Sequence, residues 1–304
     1  MMSGLSAAPP MVAPRLPLRR LLETEVGSVE VRGRPMPAAL SRRYGGELVV
    51  PLRKDRPTIV ANFVSTLDGV VAFDTDGRSG GGEISGFHEP DRFVMGLLRA
   101  LSDVVVVGAG TVRAAPDHTW TAGHVHPISA GEFSAWRNDI GLASSPMTIV
   151  LTNRGDVPRD HPGLRSSAVP VTILTTEAGA RIVRRLAFGP HVVIRTPATA
   201  DRVQPFDIVA AAAELGGRLI LCEGGPHILG QFAKAKILDE LFLTMAPQLA
   251  GRATHRPRLG LIEGTAFDAA DAPWAHLRSV HTSGDHLFLR YGFEPKTRAE
   301  RREE

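Results

Sequence analysis

L-R-A-L-S-D-V-V-V-V-G-A-G-T-V-R-A, residues 98–114, passes from one periodicity to another within a few residues. The stretch leading into it, H-E-P-D-R-F-V-M-G-L-L-R-A-L (88–101), sets Phe93, Val94, Leu97, Leu98 and Leu101 at helical spacing. D-V-V-V-V-G (103–108) is a β-branched run of the kind buried on both faces of a parallel sheet. Similar runs recur at M-T-I-V-L-T (147–152), V-T-I-L-T-T (171–176), H-V-V-I-R (191–195) and R-L-I-L-C-E (218–223), and T-I-V-A-N-F-V-S (58–65) also reads as a strand. Helices fit between them at 177–187, 205–215 and 226–235. This alternation predicts an α/β fold with a mostly parallel central sheet and helices on both faces. The end differs. L-D-E-L-F-L-T-M-A-P (238–247) reads as a strand, and residues 274–282 and 286–293 form an antiparallel hairpin through Ser283, Gly284 and Asp285.

The chain has 304 residues, 43% of them hydrophobic and 22% charged, enough apolar residue for a sizeable core. The formal net charge is +3. Much of the basic excess precedes Lys54 without interleaved aromatics, which argues against a nucleic-acid surface. Cys222 is the single cysteine, so intrachain disulfides and cysteine-rich zinc sites are excluded. That usage suits a reducing compartment. No secretory h-region opens the chain and no apolar run has the roughly 20 residues of a membrane helix, so a cytoplasmic location is expected. The first 20 residues, arginine-containing and free of acids, are also compatible with an organelle leader. We expect a leader and extension over 1–54, a main domain over 55–295 and a charged tail over 296–304. Within 18–54 a helix and a turn are expected. Residues 113–146, polar and rich in His and Trp, read as a long loop, functional or disordered.

Open parallel sheets bind ligands beyond the carboxyl ends of their strands. Three such ends carry candidate chemistry. V-G-A-G-T-V (107–112) offers Gly108, Gly110 and Thr111, but Arg113 stands where a dinucleotide fingerprint has its third glycine. C-E-G-G-P (222–226) sets Gly224 and Gly225 before a helix that Pro226 opens. Two readings stand there, a tight strand-to-helix turn or a backbone nest for phosphate. In N-F-V-S-T-L-D-G-V-V-A (62–72), Asp68-Gly69 is a turn between strands, and Asn62, Ser65 and Asp68 line one mouth if the chain bends there. His124 and His126 lack a convincing third ligand, so no metal site is expected. No G-x-S-x-G, Walker A or H-E-x-x-H sequence is present.

Taken together and in this order, these stretches resemble the reductase domain of riboflavin biosynthesis, a family of dihydrofolate-reductase-like fold. S-T-L-D-G-V-V-A is similar to its S-L-D-G-K-I-A signature. L-R-A-L-S-D-V-V-V-V-G-A-G-T-V-R-A is similar to its second block. C-E-G-G-P-H-I-L followed by L-D-E-L-F-L-T-M-A-P-Q-L-A-G is similar to its closing one. The resemblance runs over about 56–293 and implies an NADPH-dependent reductase forming a homodimer. Its usual substrate is 5-amino-6-(5-phosphoribosylamino)uracil, whose ribosyl group becomes ribityl by hydride delivery to an imine-like carbon. Carried over by position, Gly108, Gly110, Thr111 and Val112 contact NADPH, and Gly224 and Gly225 hold its phosphates. Thr152, Asn153 and Arg154 begin a loop for the adenosine side, with Thr175 and Thr176 nearby and Arg154 facing the 2′-phosphate. Asp68 and Glu223 are the expected catalytic residues, orienting or protonating the substrate, with Asn62 and Ser65 beside them.

The chain departs from the pattern in two places. Many bacterial members have Lys six residues before the aspartate, where this chain has Asn62. An Asp-Asp-Pro or Asp-Asn-Pro that helps hold substrate in the family is replaced by Ala115, Pro116, Asp117, His118, Thr119 and Trp120. The zinc deaminase signatures H-x-E and P-C-x-x-C are missing from residues 1–50, so no deamination is expected. Reduction of another substrate, including dihydrofolate, and nucleotide binding without turnover are the alternatives.

Overall fold

The computed structural model describes residues 17–24, 33–73, 80–197, 201–255 and 258–293. Most of the expected leader, and the tail from Lys296, lie outside these residues. The strands described are β1 (Arg19–Glu23), β2 (Thr58–Ser65), β3 (Val70–Ala72), β4 (Val104–Gly108), β5 (Met147–Thr152), β6 (Val171–Thr175), β7 (Val192–Arg195), β8 (Leu219–Cys222), β9 (Glu240–Met245), β10 (Leu259–Gly260), β11 (His276–Ser283) and β12 (His286–Gly292). The helices are α1 (Ala38–Tyr44), α2 (Gly81–Ser85), α3 (Glu89–Leu101), α4 (Ala109–Ala114), α5 (Ala122–Val125), α6 (Ala130–Asp139), α7 (Pro162–Arg165), α8 (Glu177–Arg184), α9 (Pro205–Glu214) and α10 (Pro226–Lys234). None of them is long and apolar enough to cross a membrane.

Ten strands form one sheet in the order β1-β11-β12-β9-β2-β8-β4-β5-β6-β7. From β9 to β7 every pairing is parallel. The antiparallel hairpin of β11 and β12 joins at β9, and β1 closes that side. The predicted α/β architecture is therefore observed, with its antiparallel end. β4 shows why V-V-V-V reads as it does. Val105 and Val107 pack into the core on the side of α3 with Leu97 and Phe93, while Val104 and Val106 pack with Ile208 of α9 and Phe232 of α10. All four valines are 0% exposed, and burying each side chain contributes about 1.5–3 kcal/mol.

Two segments differ from expectation. The helix expected within 18–54 is α1, but R-R-L-L-E also forms a strand, exposed along its whole length. It has no core face to reveal it and exists because β11 offers an edge. Residues 113–146 are ordered and partly helical. Trp120, Phe133 and Trp136 are buried in the α3-side core. Arg137 of α6 donates from Nη1 to the carbonyls of Arg99, Ala100 and Ser102 at 3.1, 2.9 and 2.7 Å, satisfying the free carbonyls that end α3. The other end of α3 is held as well: Glu89 pairs with Arg43, and His126 lies 2.6 Å from the same carboxylate.

Candidate active site

The carboxyl ends of the parallel strands lie along one edge, where the three motif stretches meet. β4 and β8 are neighbours, with Val106 opposite Cys222, so their turns stand side by side. Gly224 is there because the backbones touch: a Cβ on it would lie 2.5 Å from Gly108 N and from Val107 Cα. Gly225 takes φ +39° at the start of α10, a conformation that favours glycine. Thr111 Oγ1 lies 3.8 Å from where a Cβ on Gly225 would stand, so the two turns face each other. The residues that open α4 and α10, Gly108 and Gly225, supply no side-chain cap. Two helix starts thus present backbone N–H groups at one place. Gly110 is exposed, and a Cβ there would meet nothing nearer than Arg113 Nη2 at 3.9 Å. Val112 points its side chain into the core.

Further along the edge the β5 and β6 turns are stitched together. Thr152 Oγ1 donates to Asp156 Oδ1 at 2.7 Å and accepts from Gly155 N. Thr176 Oγ1 donates to Asn153 O at 2.8 Å and accepts from Gly179 N, capping α8. Asn153 Oδ1 accepts from Val203 N. Thr152 and Thr176 therefore spend their hydroxyls on these loops, and Asn153 Oδ1 reaches across to the segment before α9. Thr175 Oγ1 is buried without a hydrogen-bond partner among the described residues. Arg154 is exposed, and none of the hydrogen bonds among the described residues involves its guanidinium.

Asp68 closes the first motif onto the last. Its Oδ1 accepts from Thr66 Oγ1 at 2.6 Å and from Ala250 N at 3.1 Å, and its Oδ2 accepts from Gly251 N at 2.7 Å. The Thr66 hydroxyl, then the Ala250 N–H, hold the carboxyl down at about 2. At neutral pH it is an ionised acceptor that pins the L-A-G loop.

Glu223 leaves β8 on the α3 side and meets Arg99. The pair is bidentate, with Nε 3.1 and 3.0 Å from the two carboxylate oxygens and Nη2 2.7 Å from one of them, and the side chains are 2% and 6% exposed. Arg99 also donates to the carbonyls of Thr119 and Thr121, and its Nη2 lies 2.9 Å from His118 Nε2. Burial, then the Arg99 charge, drive His118 down to about 2, so it is neutral and its Nε2 accepts from Arg99. The segment that replaces the family's Asp-Asn-Pro is thus fastened to Glu223 through Arg99.

Asn62 is buried, and the register puts it on that same side, next to Glu223: its neighbour Ala61 is opposite Cys222. Ser65, three residues on along an extended strand, faces the other way. The structure brings in one further carboxyl. Asp91, in the first turn of α3, is 5% exposed and within hydrogen-bonding reach of the Thr244 and Ser85 hydroxyls. Burial raises its pKa, with the Glu223 charge adding to the rise. E-P-D at a helix start reads as an ordinary first-turn acid, and only its burial sets it apart.

The chain matches the family described as the RibD C-terminal domain over residues 57–286. It is 27% identical over 237 residues to the 2,5-diamino-6-ribosylamino-4(3H)-pyrimidinone 5′-phosphate reductase of Methanothermobacter thermautotrophicus, covering 78% of this chain and 98% of that protein. The enzyme of the same name from Archaeoglobus fulgidus is 26% identical over 203 residues, 64% of this chain and 83% of that protein. Among solved structures, a pyrimidine reductase-like protein from Corynebacterium diphtheriae superposes with TM-score 0.61 at 19% identity, over 79% of this chain and 93% of that one. The deaminase/5-amino-6-(5-phosphoribosylamino)uracil reductase of Thermotoga maritima gives 0.58 at 20% identity, over 79% of this chain and 57% of that one. Motif order, sheet topology and these likenesses agree: the chain belongs to the riboflavin-biosynthesis reductase family, that of the RibD C-terminal domain.

Proposed function

We propose that the chain is an NADPH-dependent reductase of 5-amino-6-(5-phosphoribosylamino)uracil, or of a closely related ribosylaminopyrimidine, in riboflavin biosynthesis. The observation that carries the reading is the convergence of two uncapped helix starts with a buried polar floor at one sheet edge. The two archaeal relatives, both reductases of a ribosylaminopyrimidine phosphate by name, supply the substrate class. The family resemblance carries the further expectation of a homodimer, and the sequence that of a cytoplasmic location.

The residues present fit the cofactor. The paired turns of Gly108–Thr111 and Gly224–Gly225 suit a pyrophosphate, since their N–H groups lack caps and Gly110 leaves its space open. Val112 contributes through its main chain only. Thr152, Asn153 and Thr176 shape the loop that presents Arg154 to the 2′-phosphate, while Thr175, fully buried, supports that loop from beneath. When bound, NADPH supplies the hydride. The chain's own residues align the acceptor carbon and provide a proton. Asp68, ionised and fully engaged, orients the turn. Glu223 orients Arg99 and the His118 segment, and Asn62 offers its amide beside it. Asp91 holds its proton to higher pH than an ordinary aspartate and is the proton source.

NADPH consumption with the phosphoribosylaminouracil tests the reading. Turnover is expected, and Asp91→Asn should lower kcat about 100-fold while removing the alkaline limb of the pH profile. NADPH binding without turnover of any pyrimidine or pteridine would defeat the reading and leave a nucleotide-binding protein. One observation favours a second substrate class. A buried carboxyl beside a threonine hydroxyl also suits the 2-amino edge of a fused pyrimidine such as dihydrofolate, and reduction of that compound alone would select it.

A further inference from the structure

Arg92 follows Asp91 on α3 and is exposed. Its Nε donates to the carbonyl of Val125 at 2.9 Å, which fixes the guanidinium beside α5. Its two terminal nitrogens have no partner among the described residues. His124 immediately precedes Val125, and its ring lies 4.6 Å from that of His118, nearly perpendicular to it. Arg99, on the far side of His118, is already paired with Glu223. Burial, then the charges of Arg99 and Arg92, lower the pKa of His124, and burial and Arg99 lower that of His118, so both rings are neutral partners beside the two guanidinium groups. The guanidinium fork of Arg92 is therefore held beside the His124–His118 pair, which Arg99 joins to Glu223.

We infer that Arg92, with His124 beside it, anchors an oxyanion on the substrate's tail, the phosphate monoester of a ribosylaminopyrimidine. This rests on the proposed function for the substrate's other half. The pyrimidine lies by Glu223, Asn62 and Asp91, and the ribosyl chain leads outward past His118. The family's own substrate-holding segment is replaced in this chain, and Arg92 supplies the anion contact from α3 instead.

The test compares the phosphoribosylaminouracil with its dephosphorylated form. Arg92→Gln and His124→Gln are each expected to raise KM for the phosphorylated substrate, about 10-fold for Arg92→Gln, with kcat within a factor of about two and KM for the dephosphorylated form unchanged. Lys234→Gln, at the end of α10, is the control. An unchanged KM for the phosphorylated substrate in Arg92→Gln, or an equal rise for both substrates, overturns the inference and leaves Arg92 as a tie between α3 and α5. If the wild-type protein reduces no pyrimidine, the functional reading fails by itself. Titration of ribose 5-phosphate and of ribose, followed by the fluorescence of Trp120 near His118, then decides. Saturable binding of the phosphate alone, weakened in Arg92→Gln, upholds the anion site, and binding of neither, or binding unaffected by the substitution, removes it. Dihydrofolate in place of the pyrimidine separates a carboxylate tail from a phosphate: a KM shift confined to dihydrofolate rejects the phosphate assignment.

Discussion

Two buried arginine–glutamate pairs hold this sheet, and they look in different directions. Arg290 and Glu240 bridge β12 and β9 at 2.8 Å with side chains 7% and 2% exposed, and Arg290 reaches on to the carbonyl of Val49 in the N-terminal extension. Arg99 and Glu223 are as deeply buried, but Arg99 reaches on to His118 and the carbonyls of Thr119 and Thr121. The chemistry is the same in both. One pair sets where the extension lies, and the other sets where the His118–Thr121 wall lies. Burial and ion pairing alone do not tell a structural carboxylate from a functional one. What differs between the two pairs is the next group that the arginine touches.

The comparison can be broken most sharply at Glu223. Glu223→Gln leaves a buried guanidinium uncompensated and should cost about 3–5 kcal/mol in denaturant unfolding, with turnover falling as the His118 segment loosens. Glu240→Gln should lose similar stability, yet the folded fraction should keep its kcat and KM. Equal loss of turnover in both would erase the distinction. A second contrast sets two glycines against each other. Gly224→Ala forces a Cβ onto the backbone of Val107 and Gly108 and should destabilise by about 1–3 kcal/mol or more. Gly110→Ala meets open space inside a helix, so it should leave stability unchanged or raise it by about 0.5–1 kcal/mol while weakening NADPH binding. Fluorescence titration with NADPH checks the second, and urea midpoints check both. The smallest effect belongs to Asp68. Its folded carboxyl titrates at about 2, below the ordinary value of about 3.9, so its contribution is complete above that ordinary value and is lost as pH falls through about 2. The urea midpoint of Asp68→Asn should therefore lie slightly below wild type at pH 6, with the gap closing toward pH 2.

Much of the fold is legible in the sequence because a parallel sheet writes itself as β-branched runs, and V-V-V-V at 104–107 is buried on both faces as such a run must be. β1 is not legible, because R-R-L-L-E has no buried face and owes its conformation to a neighbour far along the chain. The helices of 113–146 are masked by polar composition: Phe133 and Trp136 give a single apolar turn, and the most telling residue, Arg137, is a charge that goes inside. The glycine turns of the site are legible because glycine declares its backbone. The partner of Glu223 is not, since Arg99 lies 124 residues away and nothing local to either announces the other. Asp91 is hidden for the opposite reason, because its position at a helix start already explains an acid there.

The clamping of α3 at both ends has a consequence for anyone who would change what this protein accepts. Arg43 and His126 hold its first turn and Arg137 holds its last, so Asp91, Arg92 and Arg99 ride on a rod whose seat is built largely by the 113–146 segment. Exchanging only the residues of the 115–120 segment for those of a relative alters the wall but keeps the rod where this chain set it. On the proposed roles of Asp91 and Arg92, a transplant of substrate preference has to carry the whole cassette, wall and clamp together, because the distance between the proposed proton donor and anion anchor belongs to the 113–146 segment as much as to the helix that bears them.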